Sequence, residues 1–345
     1  MPRWQHITSD RAMISIILNT ARSDRPMVGV DWFIFEPTVK SLNKQRNREF
    51  ELIIVDALYS ERRKRWLEEH AEFPLKYVDA FPNRFLENGM VAIASMKNKG
   101  ILYAEGDLVV FLDDCTQLPE WWTEKIDRWF SKGYWPMSLT YYYEGGRPKL
   151  LKPDDRYVEK FTTYMNLGEM VRDSRADVVN KAGVLPSLPQ WFYGGSSVSL
   201  DALLEVNGLN ELFDGSKGLE DVSLGIRLDL AGYKGLFVLD KSLYHFEHWH
   251  GPVDEKVVHY KGPTPKCNYA LLLYEQTRRL YRANTYRITE REIEWIQENV
   301  CNRCPNRARC LNEEFGGRWF IPSEAFDRWL SQQRTFDLRE ERLEL

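Results

Sequence analysis

The sequence predicts an α/β protein with a sheet flanked by helices, followed by a helical C-terminal region. Three observations predict it. Short runs rich in Ile, Leu and Val, at 13–18 (MISIIL), 50–56 (FELIIVD) and 107–112 (DLVVFL), have the composition of strands buried on both faces. Segments readable as helices stand between them. Each run closes on polar or acidic residues: Asn19-Thr20, Asp56, and Asp113-Asp114. Open α/β sheets bind ligands outside the carboxyl ends of their strands, so these clusters are the first place to look for a site.

The elements follow in order. Residues 35–45 read as a helix with Pro37 in its first turn, where the missing N–H is tolerated. An Arg-rich helix is expected at 61–69, a short strand at 75–78 and a helix within 88–104. Leu118-Pro119-Glu120-Trp121-Trp122 opens a helix through Phe130, and 136–143 reads as a strand of mixed character. Residues 145–189 are polar and give no readable pattern. Gln190-Trp191-Phe192-Tyr193 then leads into Gly194-Gly195, where missing side chains let the backbone approach a ligand. Trp191 or Tyr193 is expected near a bound ligand, with core packing as the other reading.

The stretch 194–250 carries the densest chemistry. Val222, Leu224, Ile226, Leu228 and Leu230 alternate with polar residues, which alone also fits a strand. The Gly-bounded stop at 232–235 and the apolar run at 236–239 decide for a helix followed by a strand. Glu220 and Asp221 then open that helix, where as plain structural residues they would cap it and complement its dipole. His245, His248 and His250 come after the strand. Carboxylates followed by imidazoles suit a site that needs both a base and a metal ligand.

Bulk properties exclude some classes. The chain has 345 residues, 43% hydrophobic and 28% charged, enough for one large domain plus an appendage. A net charge of -4 gives no general signal for nucleic acid or membrane. No stretch approaches the ~20 apolar residues of a span, and residues 1–10 lack a signal-peptide pattern, so a cytoplasmic location is expected. The 12 Trp and 17 Tyr are core by default, although sugar-handling proteins also use such rings as stacking platforms.

The order Gly218-Leu219-Glu220-Asp221-Val222-Ser223-Leu224-Gly225-Ile226-Arg227-Leu228, then Ala231-Gly232-Tyr233, then Tyr244-His245, preceded by the turn Val206-Asn207-Gly208-Leu209-Asn210-Glu211, resembles the acceptor half of family-2 glycosyltransferases with the GT-A fold. The resemblance covers about 13–250. It implies a nucleotide-binding half at about 13–116 and an acceptor half at about 117–252, within a domain of 1–252, leaving 253–345 as a helical, cysteine-bearing region. It also implies roles. Asp221 would be the catalytic base, with Glu220 positioning the acceptor or the helix. Thr20, Arg22, Asp56, Lys97, Gly194 and Gly195 would meet the nucleotide sugar. Lys97-Asn98-Lys99-Gly100 resembles the family's Arg-Asn-x-Gly turn, with Lys97 keeping the charge but not the planar fork. Asp56-Ala57 keeps half of the family's acidic pair.

Asp113-Asp114-Cys115 stands where GT-A enzymes have Asp-x-Asp. A departing nucleoside diphosphate gathers negative charge, and a hard divalent ion held by carboxylates stabilises it. Asp113, Asp114 and His245 are the expected ligands for Mn²⁺ or Mg²⁺, with a thiol at Cys115 replacing the second motif Asp. The expected activity is inverting transfer of a sugar from a nucleotide-diphosphate sugar, UDP-sugars being the first candidates, to the hydroxyl of a glycan, lipid-linked sugar, protein or modified nucleic acid. The rivals are a nucleotidyltransferase of related fold, which would bring a Gly-rich phosphate loop that 19–30 lacks, and a non-catalytic binding protein.

The C-terminal region makes a separate expectation. Helices are read at 268–284 and 289–299, the latter with Glu292 three residues after a Thr289 cap, and an amphipathic helix is read in 326–345. Cys267, Cys301, Cys304 and Cys310 suit a structural zinc, with an iron–sulfur cluster or free cysteines as alternatives and His259 as a substitute ligand.

Overall fold

A computed structural model describes residues 12–24, 33–114, 116–143, 170–172, 174–186, 188–247, 254–259, 265–305 and 323–345. Cys115, His248, His250 and Cys310 therefore lie outside the described residues.

The first half is built from β1 (Ile14–Thr20), α1 (Glu36–Leu42), β2 (Phe50–Asp56), α2 (Glu61–His70), β3 (Leu75–Asp79), α3 (Arg84–Glu87), α4 (Ile93–Tyr103) and β4 (Leu108–Leu112). The apolar runs become the sheet interior: every residue of β2 and of β4 is buried. Strand β1 pairs in parallel with β2 on one side and with β4 on the other. The chain thus leaves β1 in one direction and returns on its other flank through β4. That reversal opens a crevice at the carboxyl ends of β1 and β4.

The second half carries β5 (Thr116–Gln117), α5 (Trp122–Phe130), β6 (Trp135–Tyr143), β7 (Met170–Arg172), β8 (Val184–Pro186), β9 (Ser197–Ser199), α6 (Leu200–Glu205), α7 (Glu220–Leu230) and β10 (Phe237–Glu247). Strand β9 closes the first sheet antiparallel to β4, giving the order β3-β2-β1-β4-β9. A second sheet runs β5-β10-β6-β7, with β8 also on β10. The helix expected after Glu220 is present. The strand after it is longer than expected, continuing past Leu239 through a register shift to Glu247.

C-terminal helices α8 (Asn268–Arg278), α9 (Glu290–Asn299), α10 (Glu324–Ser331) and α11 (Leu338–Leu343) follow, and α11 packs against α4 of the first half. Helix α9 carries the expected capping box between Thr289 and Glu292. The expected single tail helix is two, α10 and α11. The turn at Asn207 is the anchor. Its side-chain amide donates to the carbonyls of Ala283 (2.8 Å) and Phe336 (2.7 Å), and its oxygen accepts from the Leu338 N–H (2.7 Å). Among the described residues no helix is long and apolar enough to cross a membrane.

Candidate active site

A cavity of about 430 Å³ opens at the β1/β4 crevice. Asn19 and Arg22 reach it from the end of β1, Lys97 from α4, and Asp113 and Asp114 from the end of β4. Gly194, Lys217, Glu220, Asp221 and Glu247 face them from the second half of the chain. Most of the residues singled out in the sequence are therefore brought together. Thr20, Asp56, Gly195 and His245 lie behind the wall.

The two aspartates have different surroundings. Asp114 is buried and paired with Arg22 (Nε to Oδ2 3.0 Å), and it accepts from the Thr20 hydroxyl (2.8 Å). Thr20 and Arg22 thus orient Asp114. Asp113 sits against Gly194, where a methyl group would lie 3.1 Å from the Asp113 carboxyl carbon and closer still to one oxygen. Gly195 has φ +78°, and a methyl there would come within 2.5 Å of the His245 ring. The Gly-Gly pair is needed at both positions for space, and at Gly195 for backbone conformation as well.

Glu220 and Asp221 open α7, whose N-cap Leu219 has left-handed backbone (φ 73°) and makes no side-chain cap. Asp221 accepts from the Val222 N–H (2.7 Å), so one part of its role is local. Burial, and next the neighbouring Glu220 carboxylate, push the Asp221 carboxyl from 3.8 up to about 7, with Lys97 pulling the other way. A carboxyl poised near neutrality has the protonation behaviour a general base requires.

Both elements carrying these groups are held from below. Arg227, fully buried on α7, donates to the carbonyls of Val206 (3.0 Å) and Gly208 (2.9 Å) and to the Ser223 hydroxyl (3.2 Å). Ser223 in turn donates to Glu275 of α8 (2.6 Å). Asp214 caps α4 by accepting from the N–H groups of Ala94 (2.7 Å) and Ser95 (2.8 Å), which fixes the helix bearing Lys97. Lys266 and Asn268 bind the backbone of 213–218 beneath Glu220. Sequence reasoning did not single out these buried polar residues, because nothing local marks Arg227, Asp214 or Lys266 as buried.

Two expected contacts differ from the geometry. Asp56 is fully buried, and its carboxylate accepts from Leu58 N–H (2.7 Å), Tyr77 hydroxyl (2.7 Å) and Arg63 (2.6 Å). Arg63 also grips Asp24 and the Arg22 carbonyl (2.7 Å). Asp56 therefore faces Arg63 rather than open space, and it braces the 22–24 loop. His245 is also fully buried, with Nδ1 2.8 Å from the Ser138 hydroxyl and Nε2 3.1 Å from the Thr140 hydroxyl. The residue that reaches the cavity from this strand is Glu247, which sequence reasoning missed. Burial, then the adjacent Asp113, push its carboxyl well above the ordinary range.

The described cysteines gather no metal set, and Cys310 lies outside the described residues. Among the described residues no three His, Cys, Asp or Glu side chains form a group that could hold an ion. Cys267 precedes α8, Cys301 is buried after α9, and Cys304 is half-buried; none of the three is in a disulfide. The ring of His259 packs against Gly89. Tyr193 is exposed beside Gly194, with the Arg175 guanidinium 5.2 Å from its ring centre.

Comparison with known proteins follows the same lines. Residues 34–173 match the family model "Glycosyl transferase family 2". No curated protein matches the chain. Among solved structures, S. aureus TarS 1-349 in complex with UDP-GlcNAc is 13% identical, with TM-score 0.49, covering 93% of this chain and 79% of that one. S. aureus TarS 1-349 in complex with UDP is 12% identical, with TM-score 0.48, covering 86% and 77%. S. aureus TarS itself is 11% identical at TM-score 0.47, and this chain spans 45% of its length. The family match is to residues 34–173, the stretch that holds strands β2 to β4, Lys97 and the Asp113–Asp114 turn of the crevice.

Proposed function

We propose that the chain transfers a sugar from a nucleoside-diphosphate sugar to an acceptor hydroxyl by direct displacement, with inversion at the anomeric carbon. The observation that carries this reading is the convergence of Lys97, Asp113, Glu220 and Asp221 on one cavity at the β1/β4 crevice. Asp221 takes the proton of the attacking hydroxyl, and Glu220 beside it holds that hydroxyl in line. Lys97 and Arg22 supply positive charge where the diphosphate gathers negative charge.

The residues at the end of β4 fit a divalent ion. Asp113 offers hard oxygen donors at the cavity wall, and Gly194 leaves its carboxylate room. Asp113 would hold Mn²⁺ or Mg²⁺, which when bound neutralises charge on the leaving diphosphate. The complexes of S. aureus TarS with UDP-GlcNAc and UDP agree with a uridine donor as the first to try.

The test is turnover of a panel of UDP- and GDP-sugars with Mn²⁺, followed by proton NMR of the released sugar. Release of a β-anomer from an α-linked donor supports direct inversion. An α-anomer points to retention and removes Asp221 from the role of base. No turnover and no donor binding removes the enzymatic reading.

A further inference from the structure

We propose that Glu247, and not His245, is the second protein ligand on the divalent cation, paired with Asp113. The inference rests on the glycosyltransferase reading above, and it names a ligand the sequence pattern did not supply.

Backbone pairing brings the two carboxylates together. Strand β5 begins directly after the Asp113–Asp114 turn and pairs antiparallel with the end of β10, with Glu247 opposite Thr116 and Phe246 opposite Gln117. The Thr116 hydroxyl donates to the Asp113 carbonyl (2.7 Å), closing the turn on itself. Glu247 is thereby fixed beside Asp113.

Glu247 has the state expected of a ligand awaiting its ion. It is only 6% exposed and lines the cavity. Its Oε1 is buried without a hydrogen-bond partner. One face of its surroundings is acidic, with Asp113 in hydrogen-bonding contact and Asp114 near. The positive charge of Arg175 also reaches it, and the His245 Nε2 is 3.7 Å from Oε1. A buried carboxylate oxygen that no donor satisfies is costly in a folded protein, and a cation removes the cost.

His245 is poorly placed for the task. Successive side chains on a strand alternate in direction, so 245 and 247 share a face, about 7 Å apart along it. His245 is the deeper of the two. Both of its ring nitrogens are engaged by hydroxyls, and its Cε1 edge is packed against Gly195. It acts as a positioning residue, tying β10 to β6 and to the Gly-Gly turn.

No three acidic, His or Cys side chains converge into a ready cage among the described residues. Two carboxylates are nevertheless enough for a nucleotide-dependent ion. Mg²⁺-type sites commonly take one or two protein carboxylates and complete their shell with water and substrate phosphate oxygens. The ion would then bind weakly alone and tightly with nucleoside diphosphate.

The experiment measures Mn²⁺ affinity by electron paramagnetic resonance, with and without UDP or GDP, for the intact chain, Glu247→Gln, Glu247→Asp and Ser138→Ala. The expected result is Mn²⁺ binding strengthened by one nucleotide, weakened at least about tenfold in Glu247→Gln, partly restored in Glu247→Asp, and changed less than about threefold in Ser138→Ala. Glu247→Gln is isosteric and relieves the carboxylate crowding, so its metal-free thermal midpoint should equal or exceed that of the intact chain. A lower midpoint with unchanged Mn²⁺ affinity would make Glu247 a structural residue and overturn the proposal. So would Glu247→Gln binding Mn²⁺ within twofold of the intact chain. Absence of Mn²⁺ binding by the intact chain with either nucleotide would instead remove the donor-site reading on which the proposal stands.

Discussion

Replacing Asp221 with Asn should weaken the enzyme and strengthen the fold, and the two effects have separate pH signatures. The Asp221 carboxyl is raised from 3.8 to about 7, first by burial and then by Glu220. The folded chain therefore binds a proton that the unfolded chain releases throughout that interval. Stability contributed by protonated Asp221 is fully present below about pH 4 and is lost as pH rises through about 7. Roughly three pKa units at 1.36 kcal/mol each give about 4 kcal/mol, and partial access of the side chain to the cavity reduces this to about 2–4 kcal/mol. Asn carries no charge to bury. At about 2.1 cal/mol/K per residue, a chain of 345 residues moves its midpoint about 1.4 °C per kcal/mol, so Asp221→Asn should melt about 3–6 °C higher at pH 8. At pH 4 the difference should nearly vanish. Turnover at pH 8 should fall about 10²–10⁴-fold, the range for loss of a general base, and the gap should narrow as pH drops below about 7, where Asp221 of the intact chain is itself protonated. Differential scanning fluorimetry across pH 4–8, beside a nucleotide-release assay, reads both. A gain over the intact chain no larger at pH 8 than at pH 4 would refute the electrostatic reasoning, and a variant with full turnover would remove Asp221 from the chemistry.

Three other substitutions test the supporting structure. Gly194→Ala places a methyl 3.1 Å from the Asp113 carboxyl carbon, so the carboxylate must move by about 1 Å. Turnover should fall about 10²-fold, visible in kcat/KM for the donor and in its Mn²⁺ dependence. Arg63→Ala leaves Asp56 buried without its counter-charge, and unfolding in urea should show a loss of about 3–5 kcal/mol, with part recovered when Asp56→Asn is added. Asn207→Ala breaks three hydrogen bonds to the C-terminal region, two of them buried, at a left-handed position (φ 60°). It should cost about 2–4 kcal/mol and raise hydrogen exchange at 336–345.

Much of the fold was legible in the sequence because its central strands are apolar on both faces. The run at Phe50–Asp56 is bounded as a strand without ambiguity. The same simplicity hid the role of Asp56: a carboxylate at a strand end looks alike whether it meets a ligand or an arginine seven residues on. The misplacement of His245 has a definite cause. Asp240-Lys241-Ser242 interrupts the apolar run like a turn, and the Ser242 N–H does bond the Asp240 side chain (2.8 Å). The strand resumes after a register shift, carrying Glu247 rather than His245 to the cavity. Only pairing with β5, a tertiary fact, decides which residue arrives there. The buried network of Arg227, Ser223 and Glu275 was invisible for a related reason, since a charged residue reads as solvated until the C-terminal helices cover it.

The most direct single measurement is the rate of nucleoside diphosphate release from the best donor with Mn²⁺, in the intact chain and in Asp113→Asn. Release by the intact chain that needs the metal and falls at least about 10²-fold in Asp113→Asn is the expected result. Release that proceeds equally in the variant, or that ignores the metal, would contradict the placement of donor and ion at the β1/β4 crevice.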